Sequence, residues 1–327
     1  MAANLTQFGN DLYTGKRSID FVGKRKIWYG IAGVLILLSV LVPVVRGGFV
    51  FGIEFSGGSQ FQVQQVSDTD VTLATDAVES VAAETTPRVT VIGDDTVRVQ
   101  TEQIPREESD AVREALASAY SVDVAEVDAS FIGPTWGADI SASAIRALIV
   151  FLVFAAAFMW IYFRTWKMAL AANISLLHVM VITVGVYGIF GFEITPAAVI
   201  GFLTVLGYAL YDTVVVFDKV RENTAEDAAD SPRTFSESVN LAVNQTLVRS
   251  INTGVIAALP VAAILFVGAW VLGAGTLRDI SLALFVGILI GTYSTVFIAS
   301  PVYAHLRENE SAIKARSARL LESRSAS

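Results

Sequence analysis

Six stretches of this chain are apolar with few interruptions: residues 27–45, 147–163, 168–190, 197–217, 251–272 and 280–303. A hydrocarbon core takes roughly 20 apolar residues per helix. Six such runs in one chain predict six transmembrane helices rather than the buried helices of a soluble core. Between the first and second runs the pattern changes. Residues 59–66, SQFQVQQV, alternate apolar with polar and predict a strand. Over 70–84, Val71, Ala74, Val78 and Val81 fall on one helical face. Strands follow at 89–92 and 96–101, joined through Gly93-Asp94-Asp95, a hairpin signal. Pro105, at a first-turn position, opens REESDAVREALASAY, whose acidic start suits a helix N-terminus. A last strand is predicted over 126–132, closed by Gly133-Pro134. The order β-α-β-β-α-β predicts a ferredoxin-like α+β domain. That arrangement hosts many functions and fixes none.

The expected organisation is an N-terminal segment 1–26, helix one at 27–45, a folded domain at 46–139, helices two to six within 140–303, and a tail at 304–327. RTWK at 164–167 is short enough to force an antiparallel hairpin of helices two and three, and GFEITP turns three into four. Ser231-Pro232 predicts an N-cap followed by proline at the first helical position. From there Phe235, Val239, Val243 and Leu247 recur every four residues. They predict an amphipathic segment, 231–248, lying on the inner surface and running into helix five. Pro260 predicts a kink in that helix. The first apolar run begins only after 26 residues and no A-x-A site follows it, so it predicts a retained anchor rather than a cleaved signal.

Charge orients these elements. Segments 1–26, 164–167, 219–233 and 304–327 carry 15 of the 23 Lys and Arg, whereas the short loops at 191–196 and 273–279 carry only Arg278. Both termini are therefore expected in the cytoplasm and residues 47–139 outside. That outer stretch holds 17 Asp and Glu against 4 Arg, so the low pI of 4.9 belongs to it and the remainder is basic. A basic inner face favours anionic membrane lipid, and an acidic outer face argues against nucleic acid as a partner. There is no cysteine, hence no disulfide framework or thiolate metal site. The outer domain has no histidine, and no nucleophile–base pair, P-loop or metal-ligand spacing occurs anywhere in the chain. The expectation is no cofactor, no metal, and neither an ATPase nor a hydrolytic site.

Against this background Asp212 stands out. It lies within the fourth apolar run, about 7 Å along the helix from that run's inner end at 1.5 Å per residue. Its helical neighbours Tyr208, Ala209, Val215 and Val216 carry no charge, so its compensation must come from another helix. Asp218, beside Lys219 and Arg221, reads as an interface charge that snorkels or pairs locally. Arg249 is the expected partner of Asp212, on a polar stripe with Gln245, Asn252 and Thr253 that leads into helix five. Intramembrane ionisable residues are expensive and mark ion or proton paths. Burial and a nearby arginine act on such a carboxyl in opposite senses, so exchange between the two environments would load and release a proton. The plain alternative is a static pair that fixes helix register. His178 in helix three is a second, weaker proton-coupling candidate. The stretch FGIEFSGGS at 51–59, with paired glycines that permit positive φ, reads by itself as a tight turn into the first strand.

Two of these stretches together carry a resemblance. FGIEFSGGS resembles the G-x-[DE]-F-x-G-G motif of the SecF family of protein-export membrane subunits. GYALYDTVVVFDKVREN, at 207–223, resembles that family's longer membrane motif, and the order of elements matches across roughly residues 10 to 305. The resemblance implies a member of the resistance–nodulation–division superfamily that uses the proton-motive force, rather than ATP, to move exported polypeptides. It implies SecD, the SecYEG channel, YajC and the unfolded exported polypeptide as partners. It carries the membrane acid to Asp212, the membrane arginine to Arg249, and the glycine motif to Gly52, Glu54, Phe55, Gly57 and Gly58. Ala209 replaces the usual serine, a small-for-small change expected to be tolerated. Val179 follows His178 where the family often shows His-Asp. The chain carries no SecD half, so SecD is expected as a separate polypeptide. Two other readings stand beside this one: a homodimeric proton-coupled exporter of small molecules or lipids from the same superfamily, and a passive subunit in which Asp212 is packing. Superfamily exporters usually carry two large outer domains and twelve helices, which disfavours the first.

Overall fold

The structure, a computed structural model, describes residues 2–92, 95–226, 232–268 and 275–326. A short amphipathic helix α1 (Ala2–Tyr13) precedes the first span, α2 (Arg25–Val45). The inserted domain then contributes α3 (Ile53–Ser56), β1 (Gly58–Val63), α4 (Val71–Val81), β2 (Arg88–Ile92), β3 (Thr96–Thr101), α5 (Arg106–Tyr120) and β4 (Val127–Ile132). Helices α6 (Pro134–Phe163), α7 (Trp166–Phe190), α8 (Pro196–Glu226), α9 (Phe235–Ala263) and α10 (Gly275–Ser294) follow, and α11 (Ser300–Glu308) and α12 (Ser311–Ala326) close the chain. Among the described residues six helical stretches are long and apolar enough to cross a membrane, as the sequence predicts. The last of them runs from α10 through a π-helical turn, Thr295–Ala299, into α11.

The spans are not equivalent. Within their most apolar windows α7, α8 and α10–α11 are 56%, 44% and 50% buried, against 17%, 11% and 17% for α2, α6 and α9. Three helices thus form a protein-lined centre, and three present most of their side chains outward. Small residues let the central helices approach closely. A Cβ added to Gly287 of α10 would lie 2.5 Å from the methyls of Val205 on α8, and one added to Gly291 would lie 3.3 Å from the Ala209 Cβ.

In the inserted domain the strands run antiparallel in the order β2-β3-β1-β4, with Phe61 of β1 opposite Val99 on one side and Ala129 on the other. Apolar side chains of one sheet face, among them Phe61, Val63, Val97 and Val99, are fully buried against Val78 of α4 and Leu116 of α5. The strand-helix order therefore follows the alternation in the sequence. Several boundaries move. Pro105 is the N-cap of α5 rather than a first-turn residue. A single helical turn, α3, stands before the glycine pair where only a turn is expected. Helix α6 starts at Pro134, so a domain boundary at 139 falls inside it.

The segment predicted to begin at Ser231-Pro232 starts later. Thr234 is the N-cap of α9, and its side chain and that of Glu237 form a reciprocal capping box. A bonded Ser/Thr–Glu pair outcompetes a bare Ser-Pro signal because it satisfies two backbone donors. The stripe of Val239, Val243 and Leu247 does not rest on lipid. It is buried among Leu12, Phe21, Phe217 and Tyr303, at the end of the bundle opposite the sheet. Asn240 and Asn244 fasten the segment between α1 and α2 there, accepting hydrogen bonds from the Phe21 and Ile19 amides, both at 2.8 Å. Beyond Pro260 the helix reaches Ala263 and passes into a π-helical turn, Ile264–Gly268. Gly93 and Asp94 of the predicted hairpin turn, Ser231, and the end of the fifth run at 269–272 lie outside the described residues.

Candidate functional site in the membrane core

Asp212 sits where α8 passes between α9 and α10, and it is only 3% exposed. Its Oδ1 accepts a hydrogen bond from Ser250 Oγ of α9 at 2.8 Å. Its Oδ2 is buried and makes no hydrogen bond of good geometry among the described residues, with the Thr295 hydroxyl as the further group that interacts with the carboxyl. Leaving one oxygen of a buried carboxyl unsatisfied costs free energy that a purely structural residue would not need to incur. The neighbouring hydroxyl, Thr213 Oγ1, donates to the Ala209 carbonyl at 2.8 Å and lies 3.2 Å from Thr295 Oγ1.

A second polar group adjoins this one through α10. Ser294 Oγ lies 2.8 Å from Ser175 Oγ and 3.1 Å from His178 Nδ1, both on α7. His178 is 4% exposed, and its Nε2 is buried without a hydrogen-bond partner among the described residues. The last residue of α10, Ser294, and the first of the π turn, Thr295, therefore reach two different helices, toward His178 and toward Thr213 beside Asp212. The helix changes to π geometry at that point. π turns recur at functional sites because they free backbone groups and re-aim side chains.

Arg249 lies close enough for its charge to act on the Asp212 carboxyl, but not in direct contact. It is exposed, and no ion pair within 4.0 Å joins it to Asp212 among the described residues. One residue is about 100° of helix, and Ser250 rather than Arg249 turns inward. The rest of the predicted stripe divides as well: Gln245 accepts from Asn223 Nδ2 at 2.9 Å, whereas Asn252 is exposed. Asp218 is exposed, and Lys219 pairs with Glu222 at 2.5 Å instead.

The glycine motif lies at the junction of the sheet domain with the bundle, apart from Asp212. The Gly52 amide donates to the Ile194 carbonyl at 3.0 Å, in the turn between α7 and α8, and Ile194 donates back to Val50 at 2.8 Å. Phe55 packs against the cluster of Tyr187, Ile194 and Phe202. Gly57 and Gly58 have φ of +75° and +135°, and a side chain on Gly58 would strike the Thr101 carbonyl oxygen. Glu54 Oε2 is buried without a partner among the described residues. Nearby, Arg98 of β3 pairs with Glu193 at 2.8 Å and Gln100 donates to the same carboxylate at 2.5 Å. These three residues, and the hydroxyls Ser250, Ser294 and Thr295, are absent from the sequence-predicted site. The one signal for Ser294 and Thr295 is the polar run in GTYSTVF, at 291–297, within an otherwise apolar stretch. Among the described residues no three His, Asp or Glu side chains group to hold a metal ion.

Six spans around a buried acid and a histidine, with a folded domain inserted after the first, define a polytopic membrane transport protein. The family model described as protein export membrane protein SecD/SecF, C-terminal, matches residues 111–309. The protein translocase subunit SecF of Streptomyces coelicolor is 43% identical over 322 residues, covering 98% of this chain and 86% of that one. SecF of Mycobacterium tuberculosis is 38% identical over 327 residues, covering 97% and 73%. The crystal structure of SecDF, described as a translocon-associated membrane protein from Thermus thermophilus, superposes with a TM-score of 0.77 at 26% identity. That match covers 90% of this chain and 39% of the SecDF chain. The chain belongs to the SecF family of protein translocase subunits, multi-pass proteins of the cell membrane.

Proposed function

We propose that this subunit promotes polypeptide export by letting protons cross at Asp212, working beside SecD and the SecYEG channel. The observation that carries this is the half-satisfied carboxyl: one oxygen held by Ser250, the other buried without a well-formed hydrogen bond among the described residues, where α8 packs against α9 and α10. A group in that setting has two low-cost states. Protonated and neutral, it needs little beyond Ser250. Ionised, it needs a cation or water at Oδ2. Arg249, one residue from Ser250, supplies such a cation after a modest rotation of α9 against α8. His178, linked through Ser294, is a secondary proton-holding group. The sequence carries no P-loop or hydrolytic constellation, so ATP hydrolysis is assigned to other components.

Orientation rests on the positive-inside bias, which puts both termini in the cytoplasm and the acidic sheet domain outside, where it meets unfolded polypeptide. A partner chain is supported by the outer faces of two spans. Thr204, Gly207 and Tyr211 of α8 and Arg249 and Asn252 of α9 are exposed. Such side chains suit packing against another membrane protein better than against lipid tails, and the family makes SecD that protein.

The test is proton-gradient-stimulated translocation into inverted vesicles containing the complete translocase. Asp212→Asn is expected to abolish the gradient-dependent increment while leaving ATP-driven transport in place, and Arg249→Lys to retain part of it. An increment unchanged in both variants would remove the coupling role. A homodimeric exporter would instead transport without SecD.

A further inference from the structure

At the end of the bundle opposite the sheet, a cavity of about 500 Å³ opens between the ends of α6, α7 and α8, the start of α9, and the terminal helices α11 and α12. Its lining divides into two parts. Phe163, Met168 and Ile313 supply an apolar wall, while Arg221, Arg307 and Arg316 bring three guanidiniums from three helices. Among the described residues no acidic side chain lines it. Arg307 is already committed, to Glu310 at 3.1 Å and to the Tyr303 hydroxyl at 3.0 Å. Arg221 and Arg316 make no ion pair among the described residues, and Arg316 Nη2 is buried with no hydrogen-bond partner among them. A neighbouring cavity of about 560 Å³ shows the contrast, because there Arg25 and Arg324 are matched by Glu308 at 2.6 Å and Glu237 at 2.8 Å.

A buried guanidinium N–H without an acceptor is costly, and the planar fork of arginine fits phosphate oxygens two at a time. We propose that this cavity binds a phosphate monoanion or diester. The phosphate lies between Arg221 and Arg316, and the apolar part of the ligand covers Phe163, Met168 and Ile313. The site lies at the ends of the spans, where basic pockets between transmembrane helices take anionic headgroups. An anionic phospholipid and a soluble phosphate compound share this chemistry. The inference rests on the six-span reading and not on proton coupling.

The full chain, purified in a mild nonionic detergent, is titrated with phosphatidylglycerol and with phosphatidylcholine, and bound lipid is counted by native mass spectrometry. Inorganic phosphate is titrated separately and read by thermal shift. Retention of one phosphatidylglycerol, about tenfold tighter than phosphatidylcholine, is expected. Arg221→Gln combined with Arg316→Gln should erase the preference, and Arg319→Gln, which removes one charge from an exposed residue outside the cavity, should leave it within about twofold. Arg221→Gln alone, on an exposed side chain, keeps the test usable if the double variant fails to fold. An arginine-dependent stabilisation by inorganic phosphate without lipid retention would make the ligand a soluble phosphate compound. A preference that survives the double variant, or falls equally in Arg319→Gln, overturns the site, as does no binding of either probe. Asp212→Asn should bind lipid normally, so failure here and failure of the coupling role are separable.

Discussion

At the scale of single residues, the two oxygens of Asp212 have different environments, and that difference is the chemistry of the site. Ser250 is wholly buried and gives its hydroxyl to Oδ1. Replacing it with alanine would remove the carboxyl's one well-formed hydrogen bond, so Ser250→Ala is expected to destabilise the protein by about 1–3 kcal/mol. Thermal denaturation in mild detergent checks this, and an unshifted midpoint would show that the bond contributes nothing. The acid itself is legible in the sequence, because a carboxylate in an apolar run has no cheap explanation. Its partner is not. Helical spacing puts Arg249 and Ser250 one position apart, and only the rotation of α9 within the bundle decides which of them faces α8.

At the scale of elements, the contact between α8 and α10 holds the polar cluster together. It depends on glycine at Gly287 and Gly291, where any side chain meets Val205 or Ala209. Gly287→Val should therefore cost about 1–3 kcal/mol by overpacking, since the β-branched Val205 has little rotamer freedom with which to yield. Gly207 on the outer face of α8 has nothing within 4 Å of the Cβ position. Gly207→Ala should leave the isolated subunit as stable as before, or slightly more so. Comparing the two melting points tests whether close helix approach, rather than helix propensity, sets stability here. The existence of these helices follows from hydropathy alone. Their ends follow from local bonds such as the Thr234–Glu237 capping box, which a Ser-Pro signal three residues earlier obscures.

At the scale of the whole molecule, the sheet domain is tied to the bundle by a small polar junction. Glu193, in the turn between α7 and α8, receives Arg98 and Gln100 from β3, and beside it the Gly52 amide donates to the Ile194 carbonyl and the Ile194 amide to the Val50 carbonyl. The Arg98 and Glu193 side chains are 17% and 15% exposed, so screening by water is limited. Glu193→Gln should loosen the domain's seat without unfolding it. Faster amide hydrogen exchange at residues 52 and 194, with β1 unchanged, is the expected result. Equal acceleration throughout the sheet would instead mean that Glu193 stabilises the domain itself.

The sequence by itself determined the class of this protein. Six apolar runs, an alternating insert after the first, a skewed charge distribution and one misplaced acid are local or compositional properties, and burial of apolar surface acts on them whatever the neighbours. What only the tertiary structure decided is which side chains meet: Ser250 bonded to Asp212 with Arg249 at longer range, Ser294 reaching His178 and Thr295 reaching Thr213, Glu193 holding Arg98, and Arg221 and Arg316 without ion pairs among the described residues at a cavity at the bundle's end. Those contacts depend on helix rotation and on the close approach of particular glycines, and residues far apart in the chain set both.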